Sequence, residues 1–129
     1  MNNDNLANVL SAIGNSERVS LPMVTNACNS TVVQRVLDVL KTEGYLEGYD
    51  VEEDGRSGLL KIKLGARINK VGAIKPRFAV KHNGFEKFEK RYLPAQGFGI
   101  LVVSTPKGIM THEQAKEHKM GGKLLAYCY

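Results

Sequence analysis

The longest aliphatic run in this chain is four residues, Ile100-Leu101-Val102-Val103, and that brevity limits what the chain can fold into. Crossing a bilayer as a helix takes about 20 apolar residues, so no membrane span is expected. A run of four β-branched and leucine residues instead has the length and composition of a strand buried on both faces. A core must then be assembled from several short elements, each showing apolar residues at the period of a helix or of a strand.

The first half of the chain shows both periods. Leu6, Val9, Leu10 and Ile13 recur at i, i+3, i+4 and i+7 and predict an amphipathic helix that starts near Asp4 as its cap. Arg18 to Val24 is a short strand candidate. Val32, Val33, Val36, Leu37 and Leu40 form a second helical stripe, capped by Asn29 or Ser30 and stopped at Gly44. Tyr45 to Glu53 and Leu59 to Leu64 predict a hairpin around the turn residues Asp54-Gly55-Arg56-Ser57-Gly58. The alternation of Leu60, Ile62 and Leu64 with Lys61 and Lys63 gives the second of these strands one buried and one wet face. This half reads α-β-α-β-β.

The second half, after Gly65, reads as mostly β with a short helix. Pro76 interrupts Ala73 to Val80, which makes that stretch an edge strand or a strand with a bulge. Phe85 to Tyr92 is long enough for one or two helical turns before Pro94. Phe98 to Ser104 is the best buried strand, and Ser104-Thr105-Pro106-Lys107-Gly108 is read as the loop that follows it. Thr111-His112-Glu113-Gln114 has capping-box form and predicts a helix from 112 to about 118. Gly121-Gly122 ends that helix, and Lys123 to Tyr129 closes the chain as a strand. The fold class is therefore α+β, with a division near residue 67 into segments 1–66 and 67–129.

Charge follows the same division. Residues 1–66 hold 6 Lys/Arg and 9 Asp/Glu, whereas residues 67–129 hold 12 and 4, so the net charge passes from −3 to +8. With a pI near 9.3, a polyanionic partner is favoured, and the second segment is where it would bind. The two cysteines, Cys28 and Cys128, read as reduced thiols in an intracellular protein. The polar start at Met1 to Asn5 lacks a basic run before an apolar stretch, so no secretory leader is expected and the setting is cytosolic. Asn29-Ser30-Thr31 fits a glycosylation sequon but is read as a helix start.

Enzymatic chemistry has little to stand on. His82, His112 and His118 do not fall at metalloprotease spacing, and neither cysteine has a CxxC partner. Gln96-Gly97-Phe98-Gly99 precedes a strand instead of following one, which excludes a dinucleotide fingerprint. No phosphate-binding GxxxxGK[ST] occurs. The expectation is a non-enzyme without cofactor or metal.

Nucleic-acid binding has positive signals. Lys70, Lys75, Arg77, Lys81, Lys87, Lys90 and Arg91 are interleaved with Phe78, Phe85, Phe88 and Tyr92. Cations of this kind neutralise phosphates, and exposed aromatics stack on unpaired bases, although Phe78 and Phe88 are read first as core. At 104–108, hydroxyls that donate and accept suit ribose and base edges in the shallow minor groove of RNA, and Gly108 permits close backbone approach.

Several ordered segments resemble one family, the universal eighth protein of the small ribosomal subunit, over essentially the whole chain. They are Phe98 to Thr105, Gly108-Ile109-Met110 and Gly121 to Tyr127, with Leu6-Ala7-Asn8, Asn15 to Val19 and Glu43-Gly44-Tyr45 earlier on. Asp54 to Gly58, Ile68-Asn69-Lys70, Gly72 to Phe78 and Phe85 to Ala95 are similar to the archaeal and eukaryotic-cytosolic branch. The resemblance implies two small packed α/β modules and a primary contact with an irregular helix in the central domain of small-subunit rRNA, made early in assembly. It carries RNA contacts over to Ser104, Thr105, Pro106, Lys107 and Gly108, to backbone at Gly121 and Gly122, and in smaller measure to Asn15, Ser16, Arg18 and Ser30. The basic residues Lys75, Arg77, Lys87, Lys90 and Arg91 complete the expected RNA-binding set. Expected partners are rRNA and neighbouring small-subunit proteins around a chain that is monomeric outside the ribosome. A second role, as a repressor binding its own messenger through a mimic of the rRNA site, is the alternative. Three positions depart from the family: Pro106 follows Ser-Thr in place of a small polar residue, Thr31 stands for a lysine, and Asn5 for a proline. Pro106 brings neither an N–H nor a hydroxyl to the RNA.

Overall fold

The computed structural model describes residues 5–26, 30–52, 59–75, 77–95 and 98–129. The expected caps Asp4 and Asn29, the turn at 54–58, the break at Pro76, Gln96-Gly97 and the thiol of Cys28 lie outside the described residues. The chain divides into two compact units, Met1–Gly72 and Ala73–Tyr129.

In the first unit, α1 (Asn5–Arg18) buries Leu6, Val9, Leu10 and Ile13, the predicted stripe, together with Ser16. It closes through Ser20, whose φ is +60°. The Ser20 N–H reaches the Glu17 carbonyl and the Leu21 N–H reaches that of Ser16, the paired bonds of a Schellman ending. This closure consumes residues 18–21, so the strand expected at Arg18 to Val24 begins later, as β1 (Met23–Asn26). Next, α2 (Thr31–Thr42) is capped by Ser30, whose hydroxyl oxygen accepts from the Val33 N–H at 3.2 Å. Val33, Val36, Leu37 and Leu40 are buried, but Val32 is 38% exposed because it lies outside that i, i+3, i+4, i+7 set. The helix ends on Gly44 with φ +86°, the conformation that favours glycine.

The strands β2 (Leu46–Glu52) and β3 (Leu59–Leu64) pair antiparallel, and with β1 they form a three-stranded sheet in the order β1-β3-β2. Along β3, Leu60, Ile62 and Leu64 are buried. Lys61 and Lys63 face the other way and meet Glu52 at 2.7 Å and Asp50 at 3.8 Å on β2. The Tyr49 hydroxyl of β2 donates to Asp38 of α2 at 2.7 Å. Burial, with the hydrogen bond and negative charge of Asp38, pushes its phenol up to about 12.

The second unit holds β5 (Ala79–Val80), α3 (Phe85–Tyr92), β6 (Ile100–Thr105), β7 (Gly108–Thr111), α4 (His112–Glu117) and β8 (Gly122–Cys128). It is joined by the end of β4 (Val71–Ala73). The sheet order is β4-β8-β6-β7, with β5 also on β8. β6 is thus flanked on both sides, and Ile100, Leu101, Val102 and Val103 are all buried, as the continuous aliphatic run predicts. Phe85 and Leu93 from α3 and its end, Ala115 from α4, and Leu124 from β8 pack with Leu101 and Val103 into one core. Full burial of each such leucine or phenylalanine contributes roughly 1.5–3 kcal/mol. Both predicted helices are present, and α3 spans the full predicted stretch. Gly121-Gly122 does not end α4. That role falls to Lys119, which takes φ +55°, with bonds from the Lys119 and Met120 N–H groups to the Lys116 and Ala115 carbonyls.

α4 starts on the predicted capping box. The Thr111 hydroxyl oxygen accepts from the Gln114 N–H at 3.2 Å, and the Gln114 side chain accepts from the Thr111 N–H at 3.1 Å. The residue after the cap, His112, is only 1% exposed. Its Nδ1 accepts from the Leu101 N–H at 3.1 Å, which leaves the proton on Nε2, 2.7 Å from Glu89 Oε1. Glu89, 8% exposed, also takes the Lys116 ammonium at 3.0 Å. Burial lowers the His112 pKa against the opposing pull of Glu89. One imidazole therefore ties β6, α3 and α4 together.

Candidate nucleic-acid interface

The stretch read as a loop at 104–108 is a tight β-hairpin. Ser104 pairs with Ile109 and Thr105 with Gly108, so Ser104 and Thr105 end β6, Gly108 begins β7, and only Pro106 and Lys107 turn. Strand β7 was hidden because its four residues carry no clear alternation and follow directly on a turn signal. A proline ring restricts φ to about −65°, which suits Pro106 to the first turn position, and the reversal is completed at Gly108, with φ +125°.

The two hydroxyls differ in what they are free to do. Thr105 is 8% exposed. Its Oγ1 donates to the Gly108 carbonyl at 2.7 Å and accepts from the Lys107 N–H at 3.3 Å. The Ser104 side chain is half-buried, and no hydrogen bond engages its hydroxyl among the described residues. It sits opposite Lys123 of β8 in the β6–β8 ladder.

Ser104, Thr105 and Pro106 line one open groove with Gly121, Gly122, Ala79, Val80, Lys81 and Lys123. The structure therefore brings together the hydroxyl pair and the glycine pair, which lie well apart in sequence. The glycines are also required by the protein's own backbone. A β-carbon on Gly121 would strike the Val80 carbonyl oxygen, and one on Gly122 the Ser104 carbonyl oxygen. Of the two groove cations, Lys81 belongs to the basic series between residues 70 and 91, whereas Lys123 is absent from every binding expectation read from the sequence. Lys123 follows the glycine pair and stands opposite Ala79 as well as Ser104, and Lys81 follows β5. The signal that could have found Lys123 is its place as the first charged residue of a strand behind Gly-Gly. Lys107 is exposed at the hairpin tip.

The other expected cations lie elsewhere. Lys87, Lys90 and Arg91 are exposed on α3, and Lys90 meets Glu86 at 3.5 Å. Lys75 and Arg77 are exposed as well. Phe78 and Phe88 are half-buried against the core, in keeping with the reading of both as core residues.

In the first unit, Asn15 and Arg18 are exposed, Ser16 is buried, and Ser30 is engaged in capping α2. Arg18 lines a hollow with Gly14, Glu17 and residues 68–71, where Lys70 supplies a second cation. Glu17 there accepts from the Ile68 N–H at 3.0 Å.

Among the described residues no three His, Cys, Asp or Glu side chains come together as a metal site, and no helix is long and apolar enough to cross a membrane. A family model described as ribosomal protein S8 matches residues 4–129.

Proposed function

Because the chain belongs to the ribosomal protein S8 family, we propose that it holds an irregular helix of the central domain of small-subunit rRNA in the groove beside its β6–β7 hairpin. Proteins of this family are rRNA-binding structural components of the small ribosomal subunit. The observation that carries the finer reading is the convergence of Ser104, Gly121, Gly122, Lys81 and Lys123 on one open groove.

Each group there has a use on RNA. The wide, shallow minor groove of an A-form helix displays ribose hydroxyls and base edges. A serine hydroxyl can donate to one and accept from another. Glycine backbone leaves no side chain to hold the ribose away. The lysines supply phosphate contacts, which add affinity without sequence preference, while the hydroxyl and backbone contacts supply discrimination. In this reading the protein's work is positional: it fixes a distorted helix early, in the form that neighbouring small-subunit proteins meet. The similarity of segments 68–78 and 85–95 supports the archaeal and eukaryotic branch. A messenger segment folded like the rRNA site would enter the same groove, which is how a repressor role would operate.

Hydroxyl-radical footprinting of the full chain on small-subunit rRNA tests the proposal. Protection of one irregular helix in the central domain is expected. Protection confined to another domain, or none above background, would overturn it.

A further inference from the structure

The surface of α3 carries an arrangement that the hairpin groove does not use. Phe78 and Phe88 lie with ring centroids 5.3 Å apart. The Lys87 ammonium sits 5.8 Å from the centre of the Phe88 ring. The Arg91 guanidinium lies 5.6 Å from the ring centre of Phe78 and 5.5 Å from that of Tyr92. Lys87 and Arg91 are four residues apart on one helix, so they occupy the same face. Both are exposed. Among the described residues neither forms an ion pair, whereas Lys90 beside them meets Glu86 at 3.5 Å.

Aromatic faces attract cations and hold them in place. Much of the entropy that a long side chain loses on binding is thus already spent before any partner arrives. A guanidinium is planar, so an arginine ordered against rings still offers its outer side to a second flat group and its N–H edge to an oxyanion. Unpaired RNA bases are recognised by stacking on aromatic rings and on arginine planes. A base inside a paired helix hides both its faces and cannot do this. An acidic protein segment would satisfy the charge but gain nothing from the flat side.

We propose that the α3 surface is a second RNA contact, separate from the hairpin groove, in which an unpaired base stacks on the Arg91 guanidinium and Lys87 takes an adjoining phosphate. It rests on the reading of this chain as an rRNA-binding protein, and not on the assignment of the groove.

The test uses the full chain and two RNAs. One is a single-stranded dodecamer with a central 2-aminopurine, whose fluorescence falls when it stacks. The other is a hairpin carrying the irregular central-domain helix. The wild-type chain binds the dodecamer at low salt and quenches it. Arg91→Ala lowers that affinity about tenfold and removes the quench. Arg91→Lys, which keeps the charge and the helix, also loses the quench. Lys87→Ala weakens binding about threefold with the quench retained. Ser104→Ala leaves the dodecamer unaffected and weakens the irregular hairpin. An unbound or unquenched dodecamer, or an Arg91→Lys chain that quenches like wild type, overturns the proposal. Tighter binding of a polyglutamate peptide than of the dodecamer also overturns it and assigns the surface to an acidic protein partner. Failure of the groove reading would show instead as a Ser104→Ala chain that binds the irregular hairpin normally.

Discussion

The Thr105 hydroxyl donates to the carbonyl of Gly108 at 2.7 Å, across a turn of only two residues. Adjacent hydroxyls on one strand end therefore do different work. Thr105 latches the hairpin, whereas no hydrogen bond engages the Ser104 hydroxyl among the described residues.

The two alanine variants should accordingly separate. Ser104→Ala is expected to leave the melting temperature unchanged and to cost on the order of 1–2 kcal/mol in binding the irregular RNA helix. Thr105→Ala is expected to destabilise the folded chain by about 1 kcal/mol, the usual worth of such a bond. Thermal melting and filter binding of both variants check this. Equal binding losses with equal stability would contradict the division.

Lysines that act on phosphate should report through salt. Lys123→Ala, and Lys107→Ala at the hairpin tip, are each expected to lower the slope of log K against log salt by roughly one or less. Lys61→Ala, at a lysine paired with Glu52 in the first unit, should leave the slope as it was. A slope unmoved by Lys123→Ala would remove that residue from the groove's phosphate contacts.

The pKa of His112 lies below the ordinary histidine value of 6.5, chiefly because the ring is buried. Below that ordinary value the unfolded chain takes up a proton that the folded chain resists. The His112 contribution to stability is therefore complete above it and is lost as pH falls through the lowered folded value. Urea unfolding of the wild type should show a falling midpoint from about pH 7 to pH 5. In His112→Gln the midpoint should start lower and vary less over that range.

Lys119 closes α4 with φ +55°, where a glycine closes α2. Lys119→Gly is expected to raise stability by about 0.5–1 kcal/mol by relieving a left-handed lysine. Gly44→Ala should lower stability by about as much. Paired urea titrations decide both, and a Lys119→Gly chain less stable than wild type would refute the argument.

Much of the fold could be read from local pattern, because each element announces itself within a few residues. The stripe of α1, the alternation along β3 and the capping box of α4 are all of that kind. What escaped depends on contacts between distant positions. Nothing near His112 signals that Glu89, on another helix, will accept its proton donor. Nothing near Thr105 shows that its hydroxyl turns inward, since that follows from its register with Gly108. The same holds for the glycine pair, whose close backbone neighbours, Val80 and Ser104, come from two other strands. For the candidate site, residue type and family resemblance pointed to a stretch of chain that the fold gathers into one groove, but left its geometry open. Register decided which atoms remain available.

β6 runs from a fully buried stretch at Ile100 to Val103 directly into Ser104. The hydroxyl is thus mounted on a beam whose far end is clamped by the core, while Pro106 and Lys107 form the overhang. Substitutions at the overhang can change charge and turn shape without moving the mount. Changes under the clamp, at Leu101 or Val103, would displace the hydroxyl while touching no partner. Tolerance to mutation should therefore rise toward the tip of this hairpin, against the usual expectation that binding loops vary least where they reach furthest.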